Sequence, residues 1–210
     1  MQRGTVVNIN NFKCVLKFFK DNKSHLLLSG FFVLGLLLGI YFNLRFSLFE
    51  NWNKEYIQEY ISERSGSNFF KITISSFFNS MLFIFLAFSF GGSIFGVFLV
   101  PVCVALKGVL YGGVTSFLYS QYGLQGIAFN AVLIIPPAFV FLFGFLFASL
   151  EALDFSLTVL KLTFPKSVST NLYFKFKKYS MKYLVISLIV FLSGIFDALI
   201  STNFLTKFNI

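Results

Sequence analysis

Charged residues are scarce in this chain. They make up 12% of its 210 residues, whereas soluble domains carry about 25% on average. In contrast, 57% of the residues are hydrophobic and 33 are phenylalanine. A soluble fold of this length could not bury so much apolar surface. The composition therefore argues against a soluble domain and indicates a membrane protein.

Histidine and cysteine are also nearly absent. The single histidine is His25, and the two cysteines, Cys14 and Cys103, lie in a basic arm and a hydrophobic run. Neither a disulfide framework nor a metal site is suggested by this pattern. The chain contains no HExxH motif, no Gly-x-Ser-x-Gly elbow with triad partners, and no Gly-Lys-Ser/Thr phosphate loop. We therefore expect a protein that is not an enzyme and that uses no cofactor and no metal.

Long uncharged runs indicate the fold class. A helix needs about 20 apolar residues to cross a hydrocarbon core of about 30 Å. Five runs meet or approach that length, and the alternating period of a membrane β-barrel is absent. We predict an all-α, polytopic membrane protein with a single transmembrane domain over residues 26–210. The predicted spans are about 26–44, 72–90, 94–119, 127–150 and 183–204.

Three polar segments flank these spans. Residues 1–25 form a basic arm, either an amphipathic helix on the membrane surface or a solvated tail. In residues 45–71, apolar and aromatic residues recur at three- and four-residue spacing, which predicts an amphipathic helix ending at Ser65-Gly66-Ser67. This helix either lies against lipid headgroups or presents a docking face for a partner. The candidate docking residues are Trp52, Glu55, Tyr56, Glu59 and Tyr60. Residues 151–182 are again basic.

The distribution of lysine and arginine predicts the topology. The arm has five such residues and residues 151–182 have six, whereas the 45–71 loop has four that are balanced by four acids. The positive-inside rule then places the arm and residues 151–182 in the cytoplasm, with the 45–71 loop and the C-terminus outside. The net charge of +9 is explained by topology and anionic lipid. We therefore expect membrane lipids, and no nucleic acid, as partners.

Glycine and proline interrupt the apolar runs. Gly91, Gly92 and Gly96 fit a tight reversal or a helix break, and the predicted second and third spans assume a reversal there. Pro101, Pro136 and Pro137 predict kinks, because proline cannot donate a backbone hydrogen bond. Small residues such as Gly108 and Gly112 let helices approach closely. Interruptions in neighbouring spans also occur in transporters, so a permease-like membrane component is the alternative function.

Lys107 and Asp197 are the two charged side chains inside the predicted spans. At 1.5 Å per residue, both lie roughly 20 Å from the inner ends of their spans. Because an unpaired charge at that depth is expensive, we predict an ion pair between them. Alternatively, Lys107 binds backbone carbonyl groups freed near Pro101 and the neighbouring glycines, while Asp197 faces a polar cavity. Such a pair could also do no more than fix the helix register.

The central part of the chain has a recognisable pattern: a proline, a Lys-Gly pair and further glycines in one span, then a short turn and a span with proline near its middle. The residues that form it are Pro101, Lys107, Gly108, Gly112, Gly123, Gly126, Asn130 and Pro137. This pattern resembles that of the stage II sporulation protein M family. The C-terminal GIFDALIST resembles the closing helix of the family, with Asp197 at its acidic position. The likeness covers most of the chain from Leu26 onward and is strongest over residues 91–160.

The resemblance implies an integral membrane protein that acts in engulfment during endospore formation. In that picture the protein is a non-enzymatic scaffold at the septal membrane. It recruits stage II sporulation proteins P and D, or similar wall hydrolases, which process peptidoglycan. The outward amphipathic segment is the candidate partner surface, and homo-oligomerisation stays open.

Overall fold

The computed structural model describes residues 23–163 and 172–205. Within these ranges all regular secondary structure is helical, which confirms the all-α prediction. The helices are α1 (Lys23–Arg45), α2 (Ser47–Arg64), α3 (Phe69–Gly91), α4 (Gly96–Phe129), a π-helical turn (Asn130–Ile134), α5 (Ile135–Thr163) and α6 (Leu172–Phe204). Nearly all of the predicted basic arm and the centre of the 151–182 segment lie outside the described residues.

Four helical segments are long and apolar enough to cross a membrane: Ser24–Arg45, Phe69–Gly91, Gly96–Thr163 and Leu172–Phe204. The chain is therefore a polytopic helical membrane protein. The third segment has 68 residues, and a straight helix of that length would be about 100 Å long. That is about three times the thickness of the hydrocarbon core.

The chain reverses direction at Gly123, which explains the excess length of this segment. The Gly123 φ of +51° is a conformation that other residues rarely adopt. Beyond the reversal, Gly126 packs so closely on Leu118 that an added Cβ would overlap the Leu118 carbonyl oxygen. The Asn130 amide nitrogen lies 3.4 Å from the Thr115 hydroxyl oxygen, although the two residues are 15 positions apart. The 68-residue segment is thus a hairpin of two antiparallel helices. The described residues therefore contain five long apolar helical segments.

The second reversal, between α3 and α4, lies where the glycine cluster predicts it. An added Cβ at Gly91 would come within 2.8 Å of the Ala152 Cα, and one at Gly96 would overlap the Phe90 carbonyl oxygen. Gly92 has no such close neighbour, since its added Cβ would be 3.5 Å from the nearest atom. The Ser156 hydroxyl donates to the Ser93 carbonyl at 2.8 Å and ties α5 to this turn.

The two ends of the bundle differ in what they carry. At one end His25 packs against Phe147 with ring centroids 6.1 Å apart, one turn before Glu151, which pairs with Lys182 at 2.5 Å. At the other end the Gln121 amide donates to Glu50 on α2 at 2.6 Å. The start of α1 and the basic flanks of α5 and α6 therefore share one end, and α2 lies at the opposite end.

Glycines hold α1 and α4 in backbone contact. An added Cβ at Gly108 or Gly112 on α4 would overlap the carbonyl oxygen of Phe32 or Leu36 on α1. Gly39 on α1 packs in the same way on the Val109 carbonyl. This is the small-residue packing that brings membrane helices together, and it fixes the helix that carries Lys107.

Gly39→Ala should therefore destabilise the protein by about 1–3 kcal/mol, because the added methyl group forces α1 away from α4. Gly30→Ala is the matched control on the same helix, since no atom lies within 4 Å of its added Cβ. Thermal unfolding in detergent measures both variants. Equal melting temperatures for the two would show that the backbone contact of Gly39 does not matter.

Candidate functional site

The candidate site is built on α2, which packs one face against the bundle. Asn53 and Ile57 are buried on that face, followed by Tyr60 and Arg64 at three- and four-residue intervals. Asn53 is fully buried, and its amide donates to the Asn43 side-chain oxygen at 2.8 Å. The first half of α2 is thus anchored to the end of α1.

The predicted docking residues divide between the two faces of α2. Trp52, Glu55, Tyr56 and Glu59 are exposed, and the rings of Trp52 and Tyr56 stack with centroids 6.1 Å apart. Tyr60 faces the bundle instead, so its assignment to an outward docking face is wrong. Its hydroxyl donates to Asp197 at 3.1 Å.

The Tyr60 hydroxyl also lies near a backbone carbonyl group that the proline pair leaves without a donor. It lies 3.4 Å from the Leu133 carbonyl oxygen, the group to which residue 137 would donate in a regular helix. Pro137 has no N–H to give. The π-helical turn ends just before Pro136 and Pro137, and the Ser193 hydroxyl donates to the Pro137 carbonyl at 2.8 Å.

Asp197 has a different partner from the one that the sequence predicts. Its carboxylate pairs with the Arg64 guanidinium at 2.5 Å, and both side chains are 8% exposed. It also accepts hydrogen bonds from the hydroxyl groups of Ser76 on α3, Tyr60 on α2 and Ser201 on α6. The predicted Lys107–Asp197 ion pair is wrong, because α2 brings Arg64 into the bundle.

Arg64 is held on several sides. It donates to the Tyr60 carbonyl at 3.2 Å, and its guanidinium lies 3.5 Å from the centre of the Tyr60 ring. Burial raises the pKa of the Tyr60 phenol above its ordinary value, and the negative charge of Asp197 raises it further. Tyr60 therefore stays protonated at neutral pH and remains a hydrogen-bond donor.

Lys107 lies among aromatic rings. Its ammonium nitrogen is 4.0 Å from the ring centre of Phe83, 5.0 Å from that of Phe141 and 5.1 Å from that of Tyr111. A desolvated cation–π contact is worth about 2 kcal/mol or more. Across residues 23–163 and 172–205, Lys107 makes no ion pair. Aromatic faces thus take the place of the predicted carboxylate.

Lys107 and Asp197 nevertheless line one space, which we call the inner cavity, of about 90 Å³. Two neighbouring spaces share lining residues with it. The side chamber, of about 250 Å³, lies between α2, α3 and α4 and is lined by Trp52, Phe83 and Lys107. The vestibule, of about 260 Å³, has Glu59 and Glu63 at its rim. Tyr56, Tyr60 and Asn79 line all three, so the expected polar cavity beside Asp197 is present.

The polar side chains that line these spaces include hydrogen-bond donors and acceptors and the unpaired cation Lys107, and the rest of the lining is apolar. No group of three histidine, cysteine or acidic side chains suited to a metal occurs among the residues that the structure describes. The arrangement can bind and orient a polar group inside the bundle, and it fixes α2 in place.

Removing one member of the buried pair should be strongly destabilising. Asp197→Leu leaves the Arg64 charge uncompensated and should cost about 3–5 kcal/mol, whereas the double variant Arg64→Met/Asp197→Leu should recover most of that loss. Thermal unfolding in detergent measures both.

The half-exposed pair Glu151–Lys182 provides the control. Its side chains are 29% and 43% exposed, so Lys182→Gln should change stability by less than about 1 kcal/mol. A double variant as unstable as Asp197→Leu alone would contradict the importance of charge pairing at this site.

Comparison with protein-family models matches residues 28–202 to the family described as stage II sporulation protein M. The match covers most of the chain. Comparison with curated proteins and with solved structures found no match. The chain therefore belongs to the stage II sporulation protein M family and is a membrane protein of a sporulation family, which confirms the resemblance seen in the sequence.

Proposed function

We propose that this protein is a non-enzymatic membrane scaffold that holds peptidoglycan-processing proteins at the septal membrane during engulfment. Family membership supports the link to sporulation. The observation that carries the scaffold role is α2, a helix with a fixed inner face and an exposed outer face. The partners would be stage II sporulation proteins P and D or similar wall hydrolases.

The proposed orientation puts α2 outside the cytoplasm. Lys161, Lys175, Lys177, Lys178 and Lys182 flank the ends of α5 and α6 at the end of the bundle opposite α2. By the positive-inside rule this basic end faces the cytoplasm. The outer face of α2 and the C-terminus would then lie on the side where the cell wall is built.

The inner contacts of α2 prepare its outer face for binding. Asn53 holds its first half through Asn43, and Arg64 holds its last turn through Asp197. A surface that is already ordered loses less conformational freedom when a partner binds. The exposed residues are thus presented on a rigid element.

The chemistry of the outer face favours a basic partner with an apolar pocket. Trp52 is 45% exposed and stacks on Tyr56. Glu55 and Glu59 are also exposed and lie one helical turn apart. Aromatic anchors supply most of the energy at many interfaces. Surrounding charges of one sign select partners and speed their encounter.

Reversing the charge at Glu55 and Glu59 should weaken this recruitment. The variant Glu55→Lys/Glu59→Lys is expected to reduce co-purification of wall hydrolases from detergent about tenfold while insertion in the membrane is retained. Asp154→Lys is the control, because Asp154 is exposed on α5 near the opposite end of the bundle. Undiminished recovery of the hydrolases with the double variant would rule out this face.

A permease-like component of a transporter is the second candidate. The observation that favours it is the group of adjacent spaces that reaches Lys107 inside the bundle. Charged groups at membrane depth often mark transport pathways. The same co-purification separates the two functions, since an associated ATPase subunit indicates transport and associated wall hydrolases indicate a scaffold.

A further inference from the structure

The side chamber contains a cation without a counter-charge. Within the spaces beneath α2, Arg64 is balanced by Asp197, whereas Lys107 makes neither an ion pair nor a hydrogen bond with other described residues. Its three aromatic contacts stabilise the ammonium but do not neutralise it. An excess positive charge at this depth favours an anionic occupant.

Other donors at the same place also lack partners. The side-chain amide of Asn79 and the hydroxyl groups of Tyr56 and Tyr111 line the side chamber together with Lys107. None of the three makes a hydrogen bond within the described part of the chain. Buried Arg64 Nε, on the wall of the adjoining inner cavity, is also unpaired. Of these groups only Arg64 Nε is fully buried, where a polar atom is normally satisfied. Tyr56 and Asn79 are exposed and Tyr111 is partly buried, so their donors are free to meet an occupant that accepts hydrogen bonds.

The rest of the chamber is apolar. Phe83, Leu110, Val114 and Ile134 line it, with Trp52 at the exposed surface. Its volume of about 250 Å³ is near the lower end of about 300–1,000 Å³ for small-molecule sites. An apolar wall that ends at an ammonium and several neutral donors matches an amphiphile with a negatively charged head.

The charge at the other opening argues for entry from the lipid side. Glu59 and Glu63 line the vestibule, and Glu63 lies 4.0 Å from Arg64 with half of its side chain exposed. These carboxylates repel an anion that approaches from water. An anion that carries an alkyl chain can instead enter along the apolar wall between α2, α3 and α4.

We propose that the side chamber is a binding site for a lipid-like phosphate, with the phosphate on Lys107, Asn79 and the tyrosine hydroxyls and the chain along Phe83 and Leu110. A phosphate suits this donor set because it offers several strong acceptor oxygens, and lysine binds it as a point charge. This site shares Trp52 and Tyr56 with the outer face of α2, but it does not depend on the identity of the protein partner.

Trp52 provides a direct test, because it is the one tryptophan in the chain and it lines the chamber. The full-length protein in dodecyl maltoside is titrated with a bromine-labelled dodecyl phosphate, which quenches nearby indole fluorescence. We expect saturable quenching that unlabelled dodecyl phosphate reverses, whereas dodecanol and inorganic phosphate do not.

Two variants test the phosphate contacts separately. Lys107→Gln should weaken binding at least tenfold. Asn79→Ala keeps the cation and should weaken binding of the dodecyl phosphate several-fold. This second variant tests the site if Lys107→Gln does not fold. Lys182→Gln removes a lysine far from the chamber and should bind like the wild type.

The remaining outcomes overturn the proposal. Equal reversal by dodecanol would mean that the alkyl chain alone is recognised. Reversal by inorganic phosphate would identify a site for a free anion. Quenching that neither saturates nor changes in Lys107→Gln and Asn79→Ala would mean that the chamber has no phosphate site.

Discussion

The carboxylate of Asp197 is the point at which α2, α3 and α6 are held together. It receives the Arg64 guanidinium and the Tyr60 hydroxyl from α2, the Ser76 hydroxyl from α3 and the Ser201 hydroxyl from its own helix. A buried carboxylate without these donors would be strongly unfavourable. With them, a helix that is too polar to span the membrane becomes a fixed part of the bundle.

The same pairing determines what surrounds Lys107. Because Arg64 satisfies Asp197, the lysine is left with the faces of Phe83, Phe141 and Tyr111. Two cations, Arg64 and Lys107, and one anion, Asp197, therefore line the inner cavity. The position of α2 thus creates the cavity and also leaves the charge imbalance within it.

The parts of the fold that follow local rules could be predicted from the sequence. Long apolar runs determine the helices, and the glycines at 91–96 determine a reversal, because both depend on neighbouring residues alone. Whether α2 packs into the bundle or lies on the lipid surface could not be predicted in this way. An amphipathic pattern buries one face equally well against lipid headgroups or against other helices.

The composition of the α2 stripe contains a signal that distinguishes these two cases. Asn53 and Arg64 lie on the same side as Ile57 and Tyr60, where a helix on the lipid surface would carry apolar residues. Polar residues on that face require partners, which here are Asn43 and Asp197. Equal depth in the spans favours Lys107 as the partner of Asp197, whereas the polar segment that contains Arg64 looks like a loop outside the membrane. The predicted ion pair is wrong because this segment packs into the bundle and brings Arg64 to Asp197.

The two faces of α2 are also physically connected. Tyr56 lines the side chamber, and its ring stacks on Trp52, which is part of the proposed partner surface. An occupant of the chamber that shifts either ring changes the surface that a partner meets. By thermodynamic reciprocity, a partner that prefers one arrangement of these rings changes the affinity of the chamber by the same factor. The scaffold and the phosphate site would then be coupled through two stacked side chains.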